Sequence, residues 1–345
     1  MPLTEERSGV VCAGSWCVDH NMVLDRWPAE ETLGIVLSDD CQGGCPSYNM
    51  STALKRLGAD FPVEGIGLIG GDENGRLLID ACDALKIDRS QLRQQPELAT
   101  ALSLVMIAEL TGKRTFFYLA GAHAHLTPAD FDFVKTKGRI AHVGMPGTCA
   151  RMDTAWKDDA SGWVTVLKAA RAAGLKTNIE LVSAAPEVIR RLAEPLLPHL
   201  DMLVINDLEA GGVAGLETVK DGVTDAAACR EAATRIIERS VAGLVAVHYP
   251  MGAVVVTRDG RSIVHPSVDV PQRLVKSSNG AGDCFAAGIV YGVHEGWPLE
   301  RMAKLAHAAA AVSLRDTSTT GSVVPWQECL RLADDWGWRQ QGVHA

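Results

Sequence analysis

Asn279-Gly280-Ala281-Gly282-Asp283-Cys284-Phe285-Ala286-Ala287-Gly288 passes from a glycine turn straight into a run of helical character. Three small residues allow close backbone approach, and a helix is predicted over 284–294. A helix start offers unpaired N–H groups and the positive end of a dipole, which suit a phosphate or a developing anion. An aspartate there can contact a hydroxyl beside the phosphate. It can equally cap a helix after a turn, and this segment alone supports both readings.

Outward from that turn, short apolar runs alternate with Ala/Leu-rich stretches. Strands are predicted over 10–14, 64–69, 101–110, 115–119, 140–143, 176–181, 202–205, 244–247 and 253–257. Helices are predicted over 49–57, 75–85, 163–173, 225–239, 284–294 and 299–314. The alternation indicates α/β architecture with a mostly parallel sheet. Residues 23–40 and 101–119 hold strand-like runs with no helix between them, which predicts a small antiparallel sheet outside the main one. With no low-complexity linker and no repeat, one domain over 1–345 with a small excursion is expected.

Composition narrows the function classes. The 345 residues are 47% hydrophobic and 22% charged, ordinary for a globular chain with a sizeable core. A net charge of −9 argues against a protein that coats nucleic acid or an anionic membrane. No run of apolar residues is long enough for a membrane helix. The N-terminal MPLTEERSGVV does not read as a signal peptide, so a cytoplasmic address is expected. The nine cysteines include no C-x-x-C pair. Cys41 and Cys45 have no second Cys/His pair to complete a zinc site, so reduced structural thiols are expected.

Other motifs have bland alternatives. Gly65-Ile66-Gly67-Leu68-Ile69-Gly70 matches G-x-G-x-x-G. A dinucleotide site needs a strand before the first glycine and a helix opening through the last. Here the glycines lie inside the strand-like run and a turn follows, which argues against an NAD-dependent oxidoreductase. Lys113 lacks the upstream glycine of a P-loop. Asn206-Asp207-Leu208-Glu209 follows an apolar strand. That is where open α/β sheets bind ligands, although an N-cap with an acidic first turn reads the same way.

Together and in order, these segments resemble the ribokinase (PfkB) family of carbohydrate kinases, from about Val10 to Pro325. Gly43-Gly44, Asn49 and Leu57-Gly58 are similar to the family's N-terminal signature, continued by Gly70-Gly71-Asp72-Glu73-Asn74-Gly75. Gly121–Pro128 is similar to the stretch after the lid strands. Asn206-x-x-Glu209 is similar to N-x-x-E, and Gly280-Ala281-Gly282-Asp283 to the C-terminal signature. The resemblance implies a ribokinase-like doubly wound α/β sandwich, with a small β lid from about 20–42 and 100–120. It implies Mg²⁺-dependent transfer of the ATP γ-phosphoryl to a hydroxyl of a sugar or sugar-like substrate. A nucleoside acceptor, or a non-catalytic ligand-binding relative, are the alternatives.

The resemblance also assigns roles. Asp283 is the catalytic base, and the backbone N–H groups of Gly280, Ala281 and Gly282 form the anion hole. Asp19, Gly44 and Asn49 hold the acceptor. Asn206 and Glu209 organise Mg²⁺ and phosphates, largely through water. Gly252, Asn279 and His307 lie on the nucleotide side. A homodimer through the lid is implied. The helix start favours an ionised Asp283. Trp16, Trp27 and His20 lie near the lid, able to stack on a ring or simply to pack.

Several positions depart from the family pattern. Glu180 replaces a common Asp, and His307 stands where Asn is frequent. The first two signature glycines lie one residue farther from Asn49 than usual. The 248–253 stretch is one residue short. Ser277 stands six residues before Asp283, where the family usually has an Asp that helps hold a monovalent cation. A neutral hydroxyl is a poorer ligand than a carboxylate for a hard cation. Exchanging K⁺ for a bulky organic cation at constant ionic strength should therefore leave turnover nearly unchanged. A collapse of activity would contradict this.

Overall fold

Consecutive side chains of the first strand enter two different cores. Val10 and Cys12 pack on one side and Val11 and Ala13 on the other, all fully buried. That two-residue alternation, with apolar groups on both sides, requires a sheet covered on both faces. The structure, a computed structural model, describes residues 7–112 and 114–340. Lys113 and the first six residues of the N-terminal stretch lie outside the described residues.

In chain order the elements begin with β1 (Val10–Gly14), β2 (Cys17–Leu24), β3 (Val36–Gly44), α1 (Cys45–Arg56), β4 (Val63–Gly70), α2 (Glu73–Ala84) and β5 (Asp88–Gln95). Next come β6 (Ala101–Ala108), β7 (Arg114–Leu119), β8 (Ile140–Gly144), α3 (Gly162–Ala172), β9 (Lys176–Ile179), α4 (Pro186–Ala193), β10 (Met202–Asn206) and α5 (Asp207–Ala214). The short pair β11 (Val219–Lys220) and β12 (Val223–Thr224) precedes α6 (Ala226–Arg239), β13 (Leu244–Tyr249), β14 (Gly252–Thr257) and β15 (Ser262–Pro266). The chain closes with α7 (Ala281–His294), α8 (Leu299–Ser313) and α9 (Trp326–Trp336).

The central layer is parallel in the order β5-β4-β1-β8-β9. It continues through β10-β13-β14-β15, where β10 and β13 are parallel and the last two strands antiparallel. Asp201 joins the two parts, its N–H donating to Thr177 O at 3.0 Å. Helices α1, α2, α7, α8 and α9 contribute to one core and α3 to α6 to the other. The chain order reverses around β1, so this is a doubly wound sheet with a switch point there.

Strands β2, β3, β6 and β7 form a separate four-stranded sheet in the order β3-β2-β6-β7. The two helix-free stretches do meet, with two corrections. The sheet begins at Cys17 rather than near residue 20. It is mixed, because β2 and β6 run parallel with Asp19 opposite Ser103. A hairpin register cannot apply to them: the loop through α1, β4, α2 and β5 separates them, and both leave the main sheet from the same end.

The Gly65–Gly70 pattern has a packing cause. All of it lies inside β4. The fully buried Trp16 lies across the strand, and its indole N–H donates to Ile66 O at 2.9 Å. A Cβ on Gly67 would stand 2.4 Å from Trp16 Cδ1 and 2.8 Å from Gly14 O. Over-packing of this kind costs about 1–3 kcal/mol. Gly67→Ala should therefore lower the melting temperature while wild-type and variant alike show no NADH binding. A variant of unchanged stability would contradict the packing role.

Candidate active site

The carboxyl ends of the central strands converge on one cleft of about 420 Å³. Glu180 follows β9, Asn206 ends β10, and His248 lies near the end of β13. All three line it, beside Met145 after β8. Helix α1 adds Asn49 at its start, α7 adds Gly282 and Asp283, and Asp19 comes from β2 of the outer sheet. A second cleft of about 380 Å³ shares Asn206, His248 and Gly282 with the first, and Phe285 and His307 line its inner wall. Gly282 therefore faces both spaces, with Asp283 in the first and Ala281 in the second.

Missing side chains shape this junction. Gly280 caps α7 with φ of +77°, and a Cβ there would lie 2.4 Å from Thr319 O. Only glycine fits that conformation and that gap. Gly44 has a similar role opposite Asp19. A Cβ on it would meet the Asp19 carboxylate at 2.4 Å. At the start of α7 the Ala281 N–H donates to Ser278 O at 3.4 Å, while the Gly282 and Asp283 N–H groups have no hydrogen-bond partner among the described residues, so this backbone can receive an anion.

Four acidic side chains line the first cleft, and no described lysine or arginine does. Burial pushes Asp19 up to about 6, opposed by the Cys17 thiol, which donates to its carboxylate at 3.5 Å. Burial, and then Glu180, push Asp283 well above the carboxylate range, while a hydrogen bond from Asn49 opposes them. This corrects the expectation of a simply ionised Asp283. The helix start favours the charge, but a fully buried carboxyl against a second one cannot keep it alone. Burial raises Glu180 to about 7, as it does Glu209. Behind Glu180, His142 Nε2 stands 3.4 Å from Oε2, and Asn178 donates to His142 Nδ1 at 2.8 Å. Burial holds His142 down at about 4, so it is neutral.

Asn206 and Glu209 form the capping box of α5 as well as lining the cleft. Asn206 Oδ1 accepts from Glu209 N at 2.8 Å, and Glu209 Oε2 accepts from Asn206 N at 3.1 Å. The two readings of this motif are thus compatible, and the Ser183 side chain also hydrogen-bonds the Glu209 carboxylate. Hard carboxylate oxygens fit Mg²⁺, and a buried acidic cluster favours a cation. Among the described residues no group of three or more His, Cys, Asp or Glu is arranged to cage a metal.

The remaining candidates are placed unevenly. His307 lines the second cleft, with its ring 5.0 Å from Phe285 and 5.5 Å from His265, and burial lowers it to about 3. Gly252 does not line it. That glycine lets β14 pass His265 O, which a Cβ would meet at 2.6 Å, and Tyr249 and Pro250 line the cleft instead. Asn279 lines neither cleft, whereas its neighbour Ser278 does. Trp16 packs on β4, Trp27 stacks on Phe117, and His20 pairs with Asp39, and none of the three lines the first cleft. Glu180, His248, Cys17, Cys45 and Tyr118 line clefts without having been singled out as site residues. Strand-end position could have flagged the first two. Nothing local marks the others.

Glu180 and Glu209 bind protons more tightly folded than their ordinary value near 4.5. The stability this brings is complete below that value and is lost as pH rises through about 7. Buried neutral histidines such as His142 and His307 act in the opposite direction, so the carboxyls show in a difference between variants. Between about pH 5.5 and about pH 8 the melting temperature of the ligand-free wild type should fall relative to that of Glu180→Gln, which keeps the shape and removes the charge. A difference that stays constant or runs the other way would contradict the assignment.

A family model described as pfkB family carbohydrate kinase matches residues 8–327. The probable fructokinase-6, chloroplastic, of Arabidopsis thaliana is 26% identical over 302 residues, covering 83% of this chain and 70% of that protein. The ATP-dependent ribose-1-phosphate kinase of Halopiger xanaduensis is 27% identical over 308 residues, 88% and 91% respectively. The solved structure of Arabidopsis thaliana ribokinase complexed with ribose and ATP superposes with a TM-score of 0.75 at 19% identity, covering 95% of this chain and 98% of that one.

Proposed function

The chain belongs to the pfkB family of carbohydrate kinases, ATP-dependent phosphotransferases that act on a hydroxyl of a sugar or sugar-like molecule, and from that premise we propose how its two clefts share the reaction. The observation that carries the reading is their junction: Gly282 belongs to both, and Asp283 points into the first. The acceptor occupies the first cleft and the nucleotide the second, so the γ-phosphoryl group lies over the start of α7.

Asp19, whose carboxylate occupies the space over Gly44, and Asn49 hold acceptor hydroxyls. The reacting hydroxyl lies against Asp283, whose charged form, favoured by Asn49 and the helix start, takes the proton late, as oxygen bonds to phosphorus. Backbone N–H groups of Gly280, Ala281 and Gly282 receive the charge that develops on the phosphoryl oxygens. Such transfer depends on positioning and charge stabilisation more than on covalent chemistry. Mg²⁺ neutralises phosphate charge when bound, and Asn206 and Glu209 orient its water shell. His307, Tyr249 and Pro250 enclose the nucleoside end of ATP, with Gly252 and Asn279 supporting the walls. The neutral oxygen of Ser277 leaves monovalent-cation dependence weak.

The four-stranded sheet acts as a lid on one kinase domain, excluding water from the junction. Its Phe117 and Leu119, which alternate along β7 with the cleft-lining Phe116 and Tyr118, are exposed apolar groups, which supports pairing of two lids in a homodimer. All nine cysteines are free thiols, in keeping with a reducing cytoplasm. No helix among the described residues is long and apolar enough to cross a membrane. A nucleoside acceptor is the second reading, favoured by the Phe116, Tyr118 and Met145 side chains beside Asp19 in the first cleft.

Mg·ATP with pooled sugars and nucleosides should release ADP. With the acceptor so found, Asp283→Asn should lower kcat by about 10²–10⁴-fold and leave ATP binding intact. A structural cap instead predicts a stability loss of about 1 kcal/mol with turnover retained. An Asn variant keeping more than about a tenth of wild-type kcat would remove Asp283 as base.

A further inference from the structure

Arg114 begins β7, yet its guanidinium leaves the outer sheet. Nη1 donates to Asn279 Oδ1 at 2.9 Å and Nη2 to Ser278 Oγ at 3.3 Å. Those two residues lead directly into the Gly280–Gly282 turn, and Ser278 lines the nucleotide cleft. This is a fork of charged donors reaching from the lid to the loop that begins the anion site. It stands beside a cleft whose charged lining residues are acidic: Asp19, Glu180, Glu209 and Asp283.

The far end of the same amide adds a second observation. Asn279 Nδ2 is buried and has no hydrogen-bond partner among the described residues. Because Arg114 occupies Oδ1, the amide cannot flip without placing its N–H groups against the guanidinium. The unpartnered Nδ2 donor is thereby fixed on the residue immediately before Gly280. A buried donor with nothing to donate to is costly, and an anion arriving at the adjacent N–H groups would satisfy it.

We propose that Arg114 is a positioning residue for phosphoryl transfer: seated on Ser278 and Asn279, it completes the anion hole, with Asn279 Nδ2 as an added donor, only while the outer sheet is closed over the cleft. This inference rests on the kinase reading. Closure then does more than exclude water. An open lid lacks both the guanidinium and the oriented amide, so ATP hydrolysis to water is disfavoured when no acceptor holds the sheet down.

The test measures affinity for Mg·ADP with and without aluminium fluoride, a mimic of the transferred phosphoryl group. Wild type is compared with Arg114→Met, Arg114→Lys, Asn279→Ala and the Met/Ala double variant. Mg·ADP affinity should stay within about twofold in the Arg114 variants, and in Asn279→Ala it should fall by less than the gain from aluminium fluoride does. The gain from aluminium fluoride should fall at least about tenfold in Arg114→Met and in Asn279→Ala, and no further in the double variant. Lysine should recover little, because it lacks the planar fork.

Full tightening in Arg114→Met, or single losses that multiply in the double variant, would overturn the inference. So would a uniform loss of both affinities, the mark of a latch that only holds the sheet. A wild-type protein that binds Mg·ADP but gains nothing from aluminium fluoride contradicts this inference alone. One that fails to bind Mg·ADP overturns the kinase reading and the inference with it.

Discussion

Asp283 is a carboxyl group buried against another carboxyl group at the start of a helix, and the surrounding structure is arranged around that conflict. Burial and Glu180 push its proton on, while Asn49 and the helix N–H groups favour the charge. A neutral His142 behind Glu180 adds a polar ring and no charge. The resulting pocket is rich in acidic groups and has no described lysine or arginine in its lining. It favours a ligand that brings its own cation, and Mg·ATP is one.

Close backbone approach makes that arrangement possible. At Gly280 the turn passes Thr319 with no room for a side chain, and at Gly44 the space belongs to the Asp19 carboxylate. Both glycines belong to motifs recognisable in the sequence, and each acts by omission. The same reasoning takes chemistry away from Gly65 and Gly67, where the omitted atoms accommodate the Trp16 ring. One residue type therefore marks the site in one place and the core in another, and only the neighbour across the gap tells them apart.

The central strands were readable from sequence because they are buried on both faces. The predicted 10–14 strand coincides with β1, and the predicted 64–69 strand differs from β4 by one residue at each end. Strand β5 was not readable, since Asp-Arg-Ser-Gln-Leu-Arg-Gln-Gln has one buried apolar residue and owes its form to pairing with β4. Helix α5 was hidden by Gly211 and Gly212, which fit it closely against Thr218 and Ile189. The mixed pairing of the outer sheet depends on where the main fold delivers β2 and β6, which no local pattern encodes. At the site, Asp19, Asn49, Asn206, Glu209 and Asp283 were named from motifs, and the structure brings them to one cleft. Gly44, Gly252, Asn279 and Gly280 stand outside both linings. Arg114 was missed because its partners lie 164 and 165 residues away.

The central claim is that phosphoryl transfer takes place where the two clefts meet, over the start of α7. A crystal structure of the complex with Mg·ADP and aluminium fluoride tests it most directly. The account predicts the fluoroaluminate about 3 Å from the backbone nitrogens of the Gly280–Gly282 turn, with Asp283 on the acceptor side and the adenosine beside His307 and Phe285. A nucleotide bound elsewhere, or a fluoroaluminate out of reach of both that turn and Asp283, would contradict it.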